Sequence, residues 1–152
     1  MVAPYFSNLS ETYTFANHEF QSLFFAFRIP ASFYRSSYFM RFDVQEGQKP
    51  EDISLKVYGT DNYWYLILLY NKVKTPWFDG VGGWPLSNDE IETYSQKLAE
   101  FRYGANYTDA NFELVSDEMF LINENLREIK LPHKETIIEL KQLFLSQLKE
   151  IS

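Results

Sequence analysis

The chain has no cysteine and only two histidines, His18 and His133. Without cysteine there can be no disulfide, thiolate metal site or thiol nucleophile, and folding in a reducing compartment is unhindered. The two imidazoles lie towards opposite ends of the sequence, and neither sits at a triad or metal-ligand spacing. No G-x-S-x-G elbow occurs. Gly80-Val81-Gly82-Gly83 lacks the lysine and leading strand that a phosphate cradle requires, so it reads as a loop. A carboxylate pair for glycoside hydrolysis would have to come from Glu46, Asp79, Asp89 and Glu90, and each has a local role in a turn, a loop or a helix start. No catalytic residue, cofactor site or metal site is assigned, and the expectation is a protein that is not an enzyme. Basic residues are scarce too, 14 against 21 acidic, and the net charge of -7 repels phosphate backbones and anionic lipid. No apolar run approaches the roughly 20 residues of a membrane span, and Met1-Val2-Ala3-Pro4 carries no basic leader. Neither nucleic acid nor a membrane is expected as a partner.

What the chain has in plenty is aromatic surface. Phenylalanine (14), tyrosine (11) and tryptophan (3) make up 18% of 152 residues. A chain of this length buries about 68–70% of its unfolded surface, and this stock exceeds what a minimal core needs. Aromatics are also the residues that anchor protein interfaces, so surplus rings point to contacts with other chains.

The densest stretch runs from Asp43 to Tyr94. Pro50 suits the first turn of a helix, with Glu51 and Asp52 at the positive end of its dipole. Gly59 is placed to end that helix in the left-handed conformation, and Thr60 or Asp61 to cap the next. Tyr63 to Tyr70 is apolar on every side, so the second helix must be covered nearly all round, and a domain this small is expected to need neighbours for that. Thr75-Pro76-Trp77 and the glycines after it make a loop. Ser87-Asn88-Asp89-Glu90 is a capping box for a third helix to about Phe101, with Ile91, Tyr94, Leu98 and Phe101 as its apolar stripe.

Either side of this stretch the patterns are weaker. Residues 4–44 alternate as strands, through Tyr13 and Phe15, then Phe20 to Ile29, then Tyr38, Met40, Phe42 and Val44. They form either a small antiparallel sheet or an arm lying extended on a partner. Residues 104–117 read as irregular, and Phe112, Leu114 and Phe120-Leu121-Ile122 as adding one or two short strands or a hairpin around Asn123-Glu124-Asn125. After Pro132 comes an amphipathic helix with Ile137, Leu140, Phe144, Leu148 and Ile151 on one face. That face docks either on its own domain or on another chain.

These residues carry two resemblances. Asp43-Val44-Gln45-Glu46-Gly47, Ile53, Val57-Tyr58-Gly59, the apolar octet and Asn71 resemble a LysM module in its strand, helix, helix, asparagine order. The longer series Tyr58-Gly59, Tyr63-Trp64, Leu66-Ile67-Leu68, Asn71, Pro76, Trp84-Pro85-Leu86-Ser87 and Asp89-Glu90 is similar to the baseplate wedge protein fifty-three family of contractile-tailed bacteriophages. The likeness spans about Tyr38 to Tyr94 and is weaker at Tyr5-Phe6-Ser7-Asn8-Leu9. It departs at Gly83, where the family often has an acidic residue, and in the added Gly80–Gly83 segment.

The resemblance implies an α+β fold with a LysM-like strand-helix-helix centre (38–103), an N-terminal β-rich arm (1–37) and a C-terminal extension ending in an amphipathic helix (104–152). Val57, Tyr58, Gly59, Trp64, Ile67, Leu68, Trp84, Pro85 and Leu86 are the expected module core. Trp77, Phe78, Ile137, Phe144 and Leu148 are the expected partner contacts. The implied role is structural, a virion component of the tail baseplate assembled in the host cytoplasm. It would bridge neighbouring wedges around the hub, in six copies, by a heterologous contact that closes into a ring. Implied partners are other wedge proteins, including the sheath-initiating component, and hub or tube proteins, over more than ~2,000 Å² in total. A competing reading is a LysM module that binds N-acetylglucosamine polymers between Glu46–Pro50 and Asn71–Pro76. Gln48-Lys49-Pro50 weakens it, because Pro50 removes an amide that a sugar oxygen would use. A third is a wedge protein of a non-phage contractile injection machine.

Overall fold

The central stretch folds as its punctuation directs. The computed structural model describes residues 27–75 and 77–151, with the fold in the α+β class. Helix α1 (Pro50–Tyr58) starts at its proline, with the Asp52 carboxylate accepting from the Lys49 amide at 3.0 Å. It stops at Gly59, whose φ of 78° is left-handed and whose N–H donates to the Leu55 carbonyl. Nothing lies near where a Gly59 side chain would be, so backbone conformation alone favours glycine there. The Thr60 hydroxyl then accepts from the Asn62 amide, and the chain enters α2 (Trp64–Tyr70) through a single 3-10 turn. The buried Ser54 hydroxyl ties this corner together, donating to the Thr60 carbonyl and accepting from the Tyr63 amide.

Helix α2 is too short to persist by itself in water, where about 12–15 residues are the lower limit. Packing holds it. All its residues are buried, with Leu66, Ile67 and Leu68 at 0% exposure. Full burial of such side chains stabilises by about 1.5–3 kcal/mol each. The cover comes from the chain's own α1, a strand and the last helix. The expectation that neighbours would be needed to close the octet is corrected, because residues beyond 104 supply what the central stretch lacks.

Those residues form a layout the local patterns did not predict. Strand β1 (Phe39–Asp43) pairs antiparallel with β2 (Glu128–Pro132), Phe39 opposite Pro132 and Asp43 opposite Glu128. Val44 and Arg127 extend the pairing by a main-chain bond of 2.8 Å. Between α2 and β2 stands a helical hairpin, α3 (Asn88–Tyr103) and α4 (Asp109–Leu126), and after β2 comes α5 (Lys134–Ile151). The segment expected to be irregular with short strands is mostly α4, started by the Thr108 hydroxyl accepting from the Asn111 amide. Its apolar residues imitate strand alternation, yet Val115, Met119 and Asn123 recur every fourth residue and are the ones buried. The 103/104 boundary falls inside this hairpin, so the residues on either side of it pack into the same fold. Of the residues expected as an N-terminal arm, Phe27 to Pro30 are without regular structure, 3-10 turns succeed them, and the rest lies outside the described residues.

Two apolar clusters result. The larger joins α2 to Val44, Ile53, Trp84, Ile129, Leu131, Ile137, Leu140 and Phe144, and the smaller fills the α3–α4 hairpin with Ile91, Ala99, Val115 and Met119. Three side-chain amides clamp distant segments, each gripping both main-chain groups of one residue. Asn71 donates to the Lys130 carbonyl and accepts from its N–H, both at 2.8 Å. Asn123 does the same to Leu86 at 2.9 and 2.8 Å, and Gln147 to Arg28 at 2.6 and 2.8 Å. At neutral pH only a carboxamide carries donor and acceptor together in the spacing this needs.

Candidate interaction surface

Of the expected core, Tyr58, Trp64, Ile67, Leu68, Trp84 and Pro85 are buried, and Val57 and Leu86 are partly so. Tyr58 donates its hydroxyl to the Pro132 carbonyl, joining α1 to β2. Trp84 is 2% exposed and donates from Nε1 to the Gln48 carbonyl at 2.9 Å. The segment after the glycine loop is thereby pinned against the turn before α1. The Glu46 carboxylate adds a second tie by accepting from the Asn88 amide.

The expected partner contacts divide differently. Ile137 and Phe144 are 0% and 2% exposed, and Phe144 meets Phe27 edge-on at 5.3 Å and Tyr65 at 5.1 Å. Leu148 packs partly buried against the same cluster. The apolar face of α5 therefore docks on its own domain, and its assignment to another chain is corrected. Periodicity identified the face but carries no information about what covers it. The outward apolar residues of α5 are their neighbours Ile138 and Leu145, about 100° round the helix. Phe78 is likewise buried, in T-shaped contact with Tyr94 at 4.9 Å.

Trp77 is the exception. It is half-buried, backed by the larger cluster, and forms one wall of an apolar groove of about 510 Å³. Phe78, Leu86, Tyr94 and Leu98 complete the apolar lining, with Asp89, Glu90, Thr93 and Lys97 beside them. The groove exists because α3 is turned a little from the expected orientation: Ile91 of the expected stripe stays fully inward, while Tyr94 and Leu98 sit at the edge of the smaller cluster. Ile91, Ser95 and Ala99 are each at 0% exposure, and the small side chains at 95 and 99 let α4 approach closely. The stripe read from sequence is displaced to the side, so Tyr94 and Leu98 line the groove and Phe101, 87% exposed, continues the line into solvent. Sequence reading missed these as surface residues. The signal was the Ser95–Ala99 spacing, which marks a tight helix contact.

The loop carrying Trp77 is held by Asp79. Its carboxylate accepts from the Gly82 and Val81 amides at 2.7 and 2.9 Å and from the Thr75 hydroxyl at 3.2 Å. Partial burial pushes the Asp79 carboxyl up, but these hydrogen bonds outweigh it and hold the group below its usual range. Gly83, at φ 97°, passes so close to the Trp77 carbonyl that no side chain fits. Glu90 behaves like Asp79: burial raises its carboxyl, and the Ser87 capping box brings it below the ordinary value. Burial raises the Tyr94 hydroxyl, with the Asp79 charge adding to it. None of these groups forms a proton-transfer pair, and no grouping of three or more His, Asp or Glu suited to a metal occurs among the described residues. What the surface offers is a preformed apolar trough with charged residues beside it. Comparison with known proteins gives no matching family model, no matching curated protein and no matching solved structure.

Proposed function

We propose that this chain is a structural component of a contractile-tail baseplate wedge, and that its α3 groove adheres to a neighbouring subunit during assembly. The observation that carries the reading is the partly exposed line formed by Trp77, from the loop before α3, with Tyr94, Leu98 and Phe101 of α3, whose hairpin is set between the second helix and second strand of a strand-helix-helix-strand unit. Each of these rings and branched chains would lose water on docking, and aromatics seated centrally in a trough are the side chains that dominate interface energy. In this reading the groove receives an apolar segment of another wedge protein, and six copies close a ring around the hub. Hub or tube proteins are further partners, and the setting is the virion tail baseplate.

The glycan reading fares worse against the same geometry. Asn71, on one side of the sugar groove it requires, uses its amide on the main chain of Ile67 and Lys130. On the other side, the Gln48 carbonyl is capped by the Trp84 indole. Co-expression with the other wedge proteins of the same tail tests the proposal. The parent chain should co-purify with them. Trp77→Ala combined with Leu98→Asp should abolish that while leaving the helical circular dichroism intact. Retention of the variant in the complex would refute the groove as the contact.

A further inference from the structure

A second cleft, about 440 Å³, opens where the C-terminal end of α2 meets the two strands. Its lining includes three cationic side chains, Arg41, Lys72 and Lys130, and a single carboxylate, Glu128, in a chain whose net charge is -7. Arg41 pairs with Glu128, but both are more than half exposed, so the pair is weak and open to exchange. The ammonium groups of Lys72 and Lys130 lie over aromatic rings, Lys72 5.5 Å from the centre of Tyr34 and Lys130 5.1 Å from that of Phe39. Neither joins an ion pair among the described residues. The wall behind them is tied together by ring stacking and hydrogen bonds. Tyr34 stacks on Tyr70 at 4.4 Å, and both hydroxyls are spent on main-chain carbonyls, Tyr34 on Tyr70 and Tyr70 on Phe33.

Lys72 is the informative residue. It is the one non-glycine residue with positive φ among the described residues, at 56°. The main-chain bonds from Lys72 N to Leu69 O and from Val73 N to Leu68 O form the paired closure that usually places glycine at this position. A β-carbon is disfavoured there, yet the chain carries a long cationic side chain that the closure aims over Tyr34 and the cleft. Complementing the helix dipole is one gain from a cation here, but it leaves Lys130 and Arg41 unexplained.

We propose that this cleft binds an acidic protein segment through two or three of its carboxylates, with Lys72 and Lys130 as the principal contacts and Arg41 exchanging from Glu128. Three cations match a few carboxylates. They are too few for nucleic acid, whose binding proteins typically neutralise about 6–10 phosphates. The chain's overall negative charge acts over distances that physiological salt screens, whereas direct contacts in the cleft lie well within the screening length. This inference stands apart from the wedge reading, since it concerns a different face and holds or fails whatever docks in the α3 groove.

Fluorescence anisotropy on the full chain tests it, using a labelled peptide of alternating glutamate and leucine. The matched glutamine–leucine peptide and a single-stranded oligonucleotide serve as comparison probes. Saturable binding of the glutamate peptide that weakens with salt is expected, with neither comparison probe matching it. Lys72→Gly and Lys130→Gln should each weaken binding about threefold and together roughly tenfold. Lys72→Gly should melt no lower than the parent, because glycine takes the left-handed conformation freely, which separates a lost contact from a damaged fold. Absent saturable binding, equal binding of the glutamine peptide, tighter binding of the oligonucleotide, or undiminished binding by the double variant would each overturn the proposal.

Discussion

Asn71 offers the sharpest test of how the module is held. Its amide donates to the Ile67 and Lys130 carbonyls and accepts from the Lys130 N–H, all at 2.8 Å, across 59 residues of sequence in the two bonds to Lys130. Asn71→Ala removes all three and leaves half-buried main-chain groups of β2 without a partner. At about 1 kcal/mol for each net hydrogen bond, with the orphaned groups adding to the cost, the loss should be about 3 kcal/mol. For a chain of this size that lowers the melting midpoint by ~6–12 °C. Asn71→Asp is the informative control. It keeps an acceptor for the Lys130 N–H but turns a carboxylate oxygen towards two carbonyls, so it should cost at least as much as alanine and recover partly in acid as the carboxyl protonates. Urea unfolding followed by circular dichroism gives the free energies, and an unchanged denaturant slope shows that the unfolded state is unaltered. A loss below about 1 kcal/mol for Asn71→Ala, or an aspartate variant more stable than the alanine one, would refute the clamp.

Further expectations concern the loop, the core and pH. Gly83→Ala should force the loop away from the Trp77 carbonyl and misplace the groove wall, weakening the proposed wedge association while the core melts nearly as before; unchanged association would count against the groove. Trp84→Phe removes the bond to Gln48 and part of a fully packed ring, and should cost about 2–3 kcal/mol in urea unfolding. Burial pushes Tyr34, Tyr65 and Tyr70 up to about 12, so the unfolded chain ionises first above 10 and binds fewer protons than the native one. Stability contributed by these neutral hydroxyls is therefore intact below pH 10 and lost as pH rises towards 12, and tyrosinate absorbance should appear together with unfolding. Asp79 and Glu90 work the other way: their lowered carboxyls contribute stability at neutral pH that disappears as pH falls below about 4. A melting midpoint that stays flat on acidification would contradict this.

The parts of this fold that could be read from sequence are those fixed by local chemistry. Pro50, Gly59, Thr60 and the Ser87–Glu90 box set helix ends through hydrogen bonds within a few residues, and the structure has them where the pattern put them. The apolar octet announced a buried helix because no side of it is polar. What could not be read depends on distance along the chain. Strand β2 has only Ile129 and Leu131 as an alternating signal, and its partner lies beyond the intervening hairpin. Asn71, Asn123 and Gln147 look like ordinary polar residues until the segment each one clamps is in place. The helix faces show the same limit. Periodicity gave α5 its stripe, but only packing decided that Ile137 and Phe144 face inward, and small residues at 95 and 99 rotated α3 so that Tyr94 and Leu98 were left to line a groove.

Amide hydrogen exchange across α3 and the Trp77 loop, in the free chain and after mixing with the wedge proteins of a contractile tail that are its proposed partners, tests the central claim most directly. Adhesion through the groove predicts slowed exchange in the Trp77 loop and at the Tyr94–Phe101 end of α3 in the mixture, alongside a heavier assembled species. An unchanged exchange pattern, with the chain remaining separate from those proteins, would contradict it.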